Sequence, residues 1–225
     1  MPPDLMAPRK VALVAVNVGL PAVIGTHRGQ PVMSGIKKRP VSTTALSLDT
    51  LNLAGDRQAD LRVHGGPEKA VYAYPAEYFP LWTAELNHDP AFGPGSFGEN
   101  LTVAGWFEDE VRIGDVWSWG DALLQVAQPR YPCYKLALAT GRPAIAKPFI
   151  AHGRTGWYFR VLRPGEVPTA GPIEVVARDP AGVTVTDAHR ALVGDSTRVR
   201  IERVLAVDAL AASWRGALQE KIDRI

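Results

Sequence analysis

The chain has 225 residues, 46% of them apolar and 21% charged, enough to bury a core and too much to leave most of the chain disordered. A net charge of only +2 provides no global field for nucleic acid or an anionic membrane. The single cysteine excludes an intrachain disulfide framework and a Cys-rich zinc or iron–sulfur site, and it fits a reducing compartment, the cytoplasm.

The 21 glycines and 19 prolines exceed the usual share without forming a repeat, so turns are many and short strands suit the chain better than a helical bundle. Residues 1–9 read as a loose tail. Arg9 and Lys10 precede an apolar run, Val11 to Val18, which superficially mimics a signal peptide. Asn17, Gly19 and Pro21 cut it short, so it reads as a buried first strand. No run is long enough to span a membrane. Pro75 to Leu86 reads as a helix with Pro80 near its first turn. VWSWGDALLQV reads as a hairpin on a type II′ Gly120-Asp121 turn. Pro143 is placed to open a short helix before His152. Trp157 to Leu162 and Ile173 to Arg178 read as strands closed by Pro164-Gly165 and Asp179 to Gly182.

The character changes near residue 183. Thr184 and Asp187 have capping-box spacing, and Gly194 suits a C′ stop. A second helix is expected over Arg198 to Val207. A third starts near Asp208, where Leu210, Trp214, Leu218 and Ile222 recur every four residues. The expected organisation is a mainly β (α+β) body over 10–178 and a three-helix unit over 183–225. The Trp214 stripe serves either the core or self-association.

Between Asp121 and Glu166 there is no acidic side chain, while Arg130, Lys135, Arg142, Lys147, Arg154, Arg160 and Arg163 all fall there. Such a stretch is either a solvated positive face or one wall of an anion site. Cys133 sits within it, in QPRYPCYKL. Pro129 and Pro132 stiffen the approach. Arg130 and Lys135 flank the thiol, and cations at that range favour the thiolate, the nucleophilic and metal-binding form. Against this, a free cysteine is often a small inert core residue. Three more segments hold polar groups a core would not select: GDRQAD (55–60), VHGGPEKA (63–70) and SFGENL (96–101). Gly65 and Gly66 permit close backbone approach beside His64 and Lys69. Neither a Gly-Lys-Ser/Thr phosphate loop nor G-x-G-x-x-G is present.

Taken together, SGIKKRPV (34–41), GDRQAD, VHGGPEKAVYAYP, FGENL, IGD (113–115), QPRYPCYKL and Gly156-Trp157 resemble the MOSC-domain proteins of the YiiM type, which are linked to resistance against N-hydroxylated bases. The likeness covers about residues 10 to 176, and the C-terminal helices resemble the extension found in that subfamily. It implies a MOSC-type β-barrel and a molybdopterin-type molybdenum cofactor whose metal is bound by Cys133. It places Lys38, Arg57, His64, Lys69, Asn100, Arg130 and Lys135 around that cofactor. Arg130 and Lys135 would serve phosphate charge or the thiolate, His64 a proton or a metal oxo group, and Asn100 the pterin ring. Lys37 stands where relatives often carry an aromatic, and of the lysine pair Lys38 is the expected one.

The implied activity is reduction of N-hydroxylated compounds such as 6-N-hydroxylaminopurine to the amine. Cys133 and His64 would be catalytic, and electrons would come from a separate reductase. A homodimer is expected, with no nucleic acid and no membrane as partner. The alternative is a carrier of cofactor or sulfur without turnover. A cysteine hydrolase pairing Cys133 with His64 or His152 is the third reading. It is disfavoured because the preceding proline does not suggest the helix N-terminus that commonly activates a thiol.

Overall fold

A computed structural model describes residues 9–60, 65–194 and 196–225. Twelve strands run in chain order: β1 (Arg9–Val18), β2 (Ala22–His27), β3 (Gln30–Ser34), β4 (Arg39–Pro40), β5 (Ala45–Leu48), β6 (Val71–Pro75), β7 (Leu101–Ala104), β8 (Val116–Trp119), β9 (Ala122–Pro129), β10 (Trp157–Arg163), β11 (Gly165–Pro168) and β12 (Pro172–Ala177). Six α-helices accompany them among the described residues: α1 (Tyr78–Glu85), α2 (Tyr134–Thr140), α3 (Ala146–His152), α4 (Val185–Val193), α5 (Arg198–Leu205) and α6 (Ala212–Ile222).

Seven strands close a barrel in the order β12-β8-β9-β10-β6-β7-β1, with β1 pairing back onto β12. Closure runs through Arg9↔Val175 to Ala12↔Pro172. The same long strand then pairs with β7, and its end, Asn17-Val18, with β4. All barrel pairs are antiparallel except β6–β7. Closing the sheet removes its open edges, which suits a body of short strands. Gly120 turns β8 into β9 with φ +57°, and Asp121 has no positive φ, as a type II′ turn requires.

The barrel interior is apolar, with Trp117, Trp119, Trp157 and Phe159 fully enclosed. The C-terminal helices share that core: Val185, Ala188, Ile201, Trp214 and Leu218 belong to the same apolar cluster as Val11, Leu101 and Val126. The Trp214 stripe is therefore spent inside the chain, and the self-association reading of it is withdrawn. A second cluster joins Tyr72 and Tyr74 of β6 to α1 (Phe79, Trp82), α2 (Leu136) and α3 (Phe149). Side-chain bonds fasten the C-terminal unit to the barrel. Glu68 accepts from Arg160 Nη2 at 2.9 Å and from the Ala212 amide at 2.9 Å. Arg160 Nη1 reaches the Ala209 carbonyl at 2.8 Å.

Three local expectations need correction. Pro75 ends strand β6, and the helix begins at Tyr78; a proline with no N–H is tolerated at a strand end, where no ladder donor is required of it. The helix beyond Pro143 begins at Ala146. Gly194 follows α4 with φ −91°, extended rather than left-handed. The capping box at the head of α4 is formed in both directions, Asp187 N to Thr184 Oγ1 at 3.0 Å and Thr184 N to Asp187 Oδ2 at 3.1 Å.

Candidate functional site

The strands β6, β9 and β10 deliver the floor of a cavity, and the loops carrying residues 34–38, 57–59 and 97–100 close over it. Register explains the floor. Tyr158 of β10 pairs with Tyr72 of β6 and with Gln128 of β9, so two tyrosines stand side by side with ring centroids 5.0 Å apart. The chain leaves β9 through Pro129 and Arg130, whose amide donates to the Gly156 carbonyl at 3.2 Å. It reaches Cys133 in an extended conformation (φ −120°, ψ 174°) at the N-cap of α2. This corrects the expectation that Cys133 lies away from a helix start. An N-cap residue is itself extended, so a proline-stiffened approach is compatible with a helix beginning one residue later.

Lys38, Arg57, Lys69, Asn100, Arg130, Cys133 and Lys135 all line this one cavity. His64 lies outside the described residues. Lys38 turns inward while Lys37 is exposed. Arg57 sits on the exposed rim, its Nη1 held by the Asp56 carbonyl at 2.7 Å. His152 is elsewhere: its Nε2 meets Glu85 Oε1 at 3.0 Å, and it lines a separate groove with His189. That takes from the hydrolase reading one of its two partner histidines.

Beneath the cavity runs a buried polar chain. Asp56, fully enclosed, accepts from Lys38 Nζ at 2.5 Å, from Asn100 Nδ2 at 2.9 Å and from the Gly19 amide at 2.9 Å. Asn100 also donates to the Asn17 carbonyl at 3.2 Å and accepts from the Tyr72 amide at 3.1 Å. Asn17 Nδ2 donates to Thr102 Oγ1 at 3.1 Å, which in turn donates to Glu99 Oε1 at 3.0 Å. The amides of Gly95 and Phe97 also donate to Glu99. Burial pushes the Glu99 carboxyl up to about 7 despite these donors. Both carboxamide hydrogens of Asn100 are thus engaged by Asp56 and Asn17, and its oxygen by the Tyr72 amide.

Two glycines let these loops meet. A Cβ on Gly35 would stand 2.0 Å from the Arg57 carbonyl oxygen. Gly98 has φ +83°, and its Cβ would fall 2.6 Å from the Ile36 side chain.

The cavity is cationic and incompletely neutralised. Arg130 is 5% exposed, its guanidinium carbon lies 5.2 Å from the ring centroids of Tyr72 and Phe149, and its Nη1 is buried with no hydrogen-bond partner. Among the described residues no carboxylate forms an ion pair with it. Gln58 Oε1, also on the lining, is buried without a partner. Lys135 is 7% exposed. Burial lowers the Lys69 ammonium below its ordinary value, with Glu68 opposing that shift. A buried guanidinium without a carboxylate partner is costly unless another anion completes it, so this lining suits an anionic ligand bearing hydrogen-bond donors and acceptors.

Residues 60–175 match the family model for the MOSC domain. The chain belongs to the MOSC domain family. Over its full length it is similar to protein YflK of Bacillus subtilis, 40% identical across 98% of both chains. The crystal structure of YiiM from Geobacillus stearothermophilus superposes with a TM-score of 0.78, covering 94% of this chain and 99% of that one at 31% identity. A protein of Gibberella moniliformis named a reductase is 36% identical over 57% of this chain, which matches 23% of that protein. MOSC domains are associated with molybdenum-cofactor binding, and the barrel with its C-terminal helices is the YiiM-like fold.

The MOSC cavity fits such a cofactor. The orphaned Arg130 Nη1 and the lysines suit a phosphate, and Gln58 offers an acceptor to ring N–H groups. Among the described residues no cluster of three or more His, Cys, Asp or Glu side chains is arranged to hold a metal ion. A metal beside Cys133 would therefore bring its remaining ligands with it, as a dithiolene does, and a thiolate matches a metal already among sulfurs. Residue-by-residue reading of the sequence missed Asp56, Tyr72, Gln58 and Tyr158. Asp56, Gln58 and Tyr72 lie inside quoted motifs, but nothing in the local sequence singles them out from their neighbours.

Proposed function

We propose that this chain is a molybdenum-cofactor-dependent reductase of N-hydroxylated compounds, 6-N-hydroxylaminopurine among them, with Cys133 as the protein ligand to the metal. The observation that carries the reading is that Cys133 lines one cavity with the guanidinium of Arg130, whose buried Nη1 has no hydrogen-bond partner among the described residues. When bound, the cofactor supplies the two-electron chemistry. The net change is R–NHOH plus two electrons and two protons to R–NH2 plus water: the N–O bond breaks, and new N–H and O–H bonds form.

The protein's part is to bind, orient and protonate. Arg130 and Lys135 hold the anionic end of the cofactor, and the Asp56–Lys38 pair fixes the loop over it. Lys69, made a readier proton donor by its burial, lines this cavity and is the proposed donor of a proton to the leaving hydroxyl; His64 is the second proposed donor. Electrons arrive from a separate reductase, since the chain carries no nicotinamide or flavin fingerprint. A cytoplasmic homodimer is the expected setting, and a monomeric mass in light scattering at micromolar concentration contradicts the dimer.

The deciding experiment is elemental analysis of gently purified protein for molybdenum and phosphorus, followed by turnover of hydroxylaminopurine with a chemical electron donor. Metal together with adenine formation supports the reductase. Metal with release of cofactor to an apo-enzyme and no turnover supports the carrier instead. Protein made in a cofactor-competent host without either element overturns both.

A further inference from the structure

A second cavity opens on the far side of Cys133. Lys69, Tyr131, Cys133 and Tyr158 line both spaces, so the two adjoin at the thiol. Its outer wall comes from the C-terminal helices: Leu192 of α4 and Ser213, Trp214 and Ala217 of α6. Its floor is Gln128 of β9.

We infer that this second cavity is the substrate site, built jointly by barrel and C-terminal helices, and that it takes an uncharged planar N-hydroxylated heteroaromatic ring. This rests on the reductase reading above. Three observations argue for it. A ring lodged there presents its substituent to Cys133, and so to whatever Cys133 binds. The walls are mostly apolar or aromatic (Pro132, Leu192, Trp214, Ala217, Tyr131), the lining that flat ring systems need. One polar pair faces them: Gln128, buried, whose Oε1 accepts from Ser213 Oγ at 3.0 Å, while its Nε2 makes only a long 3.4 Å bond to the Pro129 carbonyl. A carboxamide held on its oxygen side and loosely held on its nitrogen side can recognise a ring acceptor. The lining includes Lys69 and no carboxylate, which disfavours a cationic substrate.

Ala217 is half-buried on α6, so Ala217→Trp fills the cavity without touching the first one. In the full-length, cofactor-loaded protein we expect molybdenum and phosphorus contents equal to the parent. The ratio of kcat/KM for hydroxylaminopurine to that for hydroxylamine should fall at least tenfold, chiefly through KM for the purine. Independently of turnover, calorimetric binding of adenine should be seen with the parent and weaken at least tenfold in Ala217→Trp. Gln128→Leu should weaken adenine binding more than that of an apolar ring of the same size. An unchanged ratio and unchanged adenine binding in Ala217→Trp overturns the inference, as does a parent that does not bind adenine. If the loaded parent reduces neither substrate, yet adenine binds and is lost in Ala217→Trp, the ring site stands and the reductase reading falls.

Discussion

Lys38 Nζ stands 2.5 Å from Oδ2 of Asp56, in a pair whose side chains are 7% and 0% exposed. The two residues lie in separate loops, and their meeting ties the segment over the cavity to the buried chain beneath it. Burial lowers the Lys38 ammonium below its ordinary value, against the pull of Asp56. The pair is thus retained against a desolvation cost, and removing one member strands the other. Asp56→Ala should destabilise the protein by about 3 kcal/mol. Lys38→Met with Asp56→Leu together should cost less than the sum of the single changes. Urea denaturation of the four proteins measures this, and strict additivity refutes the coupling.

Cys133→Ser keeps the size and the extended N-cap geometry but removes the soft donor. It should lower molybdenum content at least tenfold and abolish N-hydroxyl reduction, with the thermal midpoint of the cofactor-free protein moving by no more than about 0.5 kcal/mol equivalent. A serine variant that retains metal and turnover disproves the ligand assignment.

Arg130→Met makes the opposite trade. The guanidinium is buried without a carboxylate, so a similar apolar side chain should leave the cofactor-free protein as stable or about 1 kcal/mol more stable, even after loss of the Tyr72 and Phe149 ring contacts. Phosphorus retention should drop at least tenfold. Clear destabilisation with phosphorus retained makes Arg130 a structural residue instead.

Glu99 predicts a pH dependence. Its carboxyl titrates near 7 when folded, against an ordinary 4.5. The folded chain therefore keeps a proton that the unfolded chain releases across that interval. The associated stability is fully present below about pH 4.5 and is lost as pH rises through about 7, on the order of 3 kcal/mol in all. Glu99→Gln should be less stable at pH 5, because an amide cannot accept from both loop amides, and should lose this slope. Parallel stability–pH curves for parent and variant between pH 5 and 8 contradict the assignment.

Gly35 and Gly216 should respond with opposite signs. Gly35→Ala drives a Cβ into the Arg57 carbonyl and should cost more than about 2 kcal/mol while loosening the loop that carries Lys38. Gly216 lies on α6 with nothing within 4 Å of its added Cβ, so Gly216→Ala should stabilise by about 0.5–1 kcal/mol. Denaturant midpoints compare the two.

Where local chemistry decides, the residues alone were legible. Gly120-Asp121 specifies its turn, Thr184 with Asp187 the start of α4, and the recurrence of Trp214, Leu218 and Ile222 the buried stripe of the last helix, which begins at Ala212 rather than near Asp208, leaving Leu210 buried in the turn ahead of it. The motif-bearing segments marked most of the cavity lining in advance, Lys38 and Asn100 through the family resemblance alone, Arg130 and Lys135 also as cations flanking Cys133. What the linear text leaves open is long-range register. Pairing of Tyr72 with Tyr158, the meeting of Lys38 with Asp56, and the approach of Trp214 to Gln128 across the mouth beside Cys133 depend on β1 closing back on β12 and on the C-terminal helices docking to that barrel. No local propensity encodes these contacts. They follow from the one arrangement that buries the tryptophans and removes every open sheet edge of the barrel, and that arrangement turns scattered polar residues into a site.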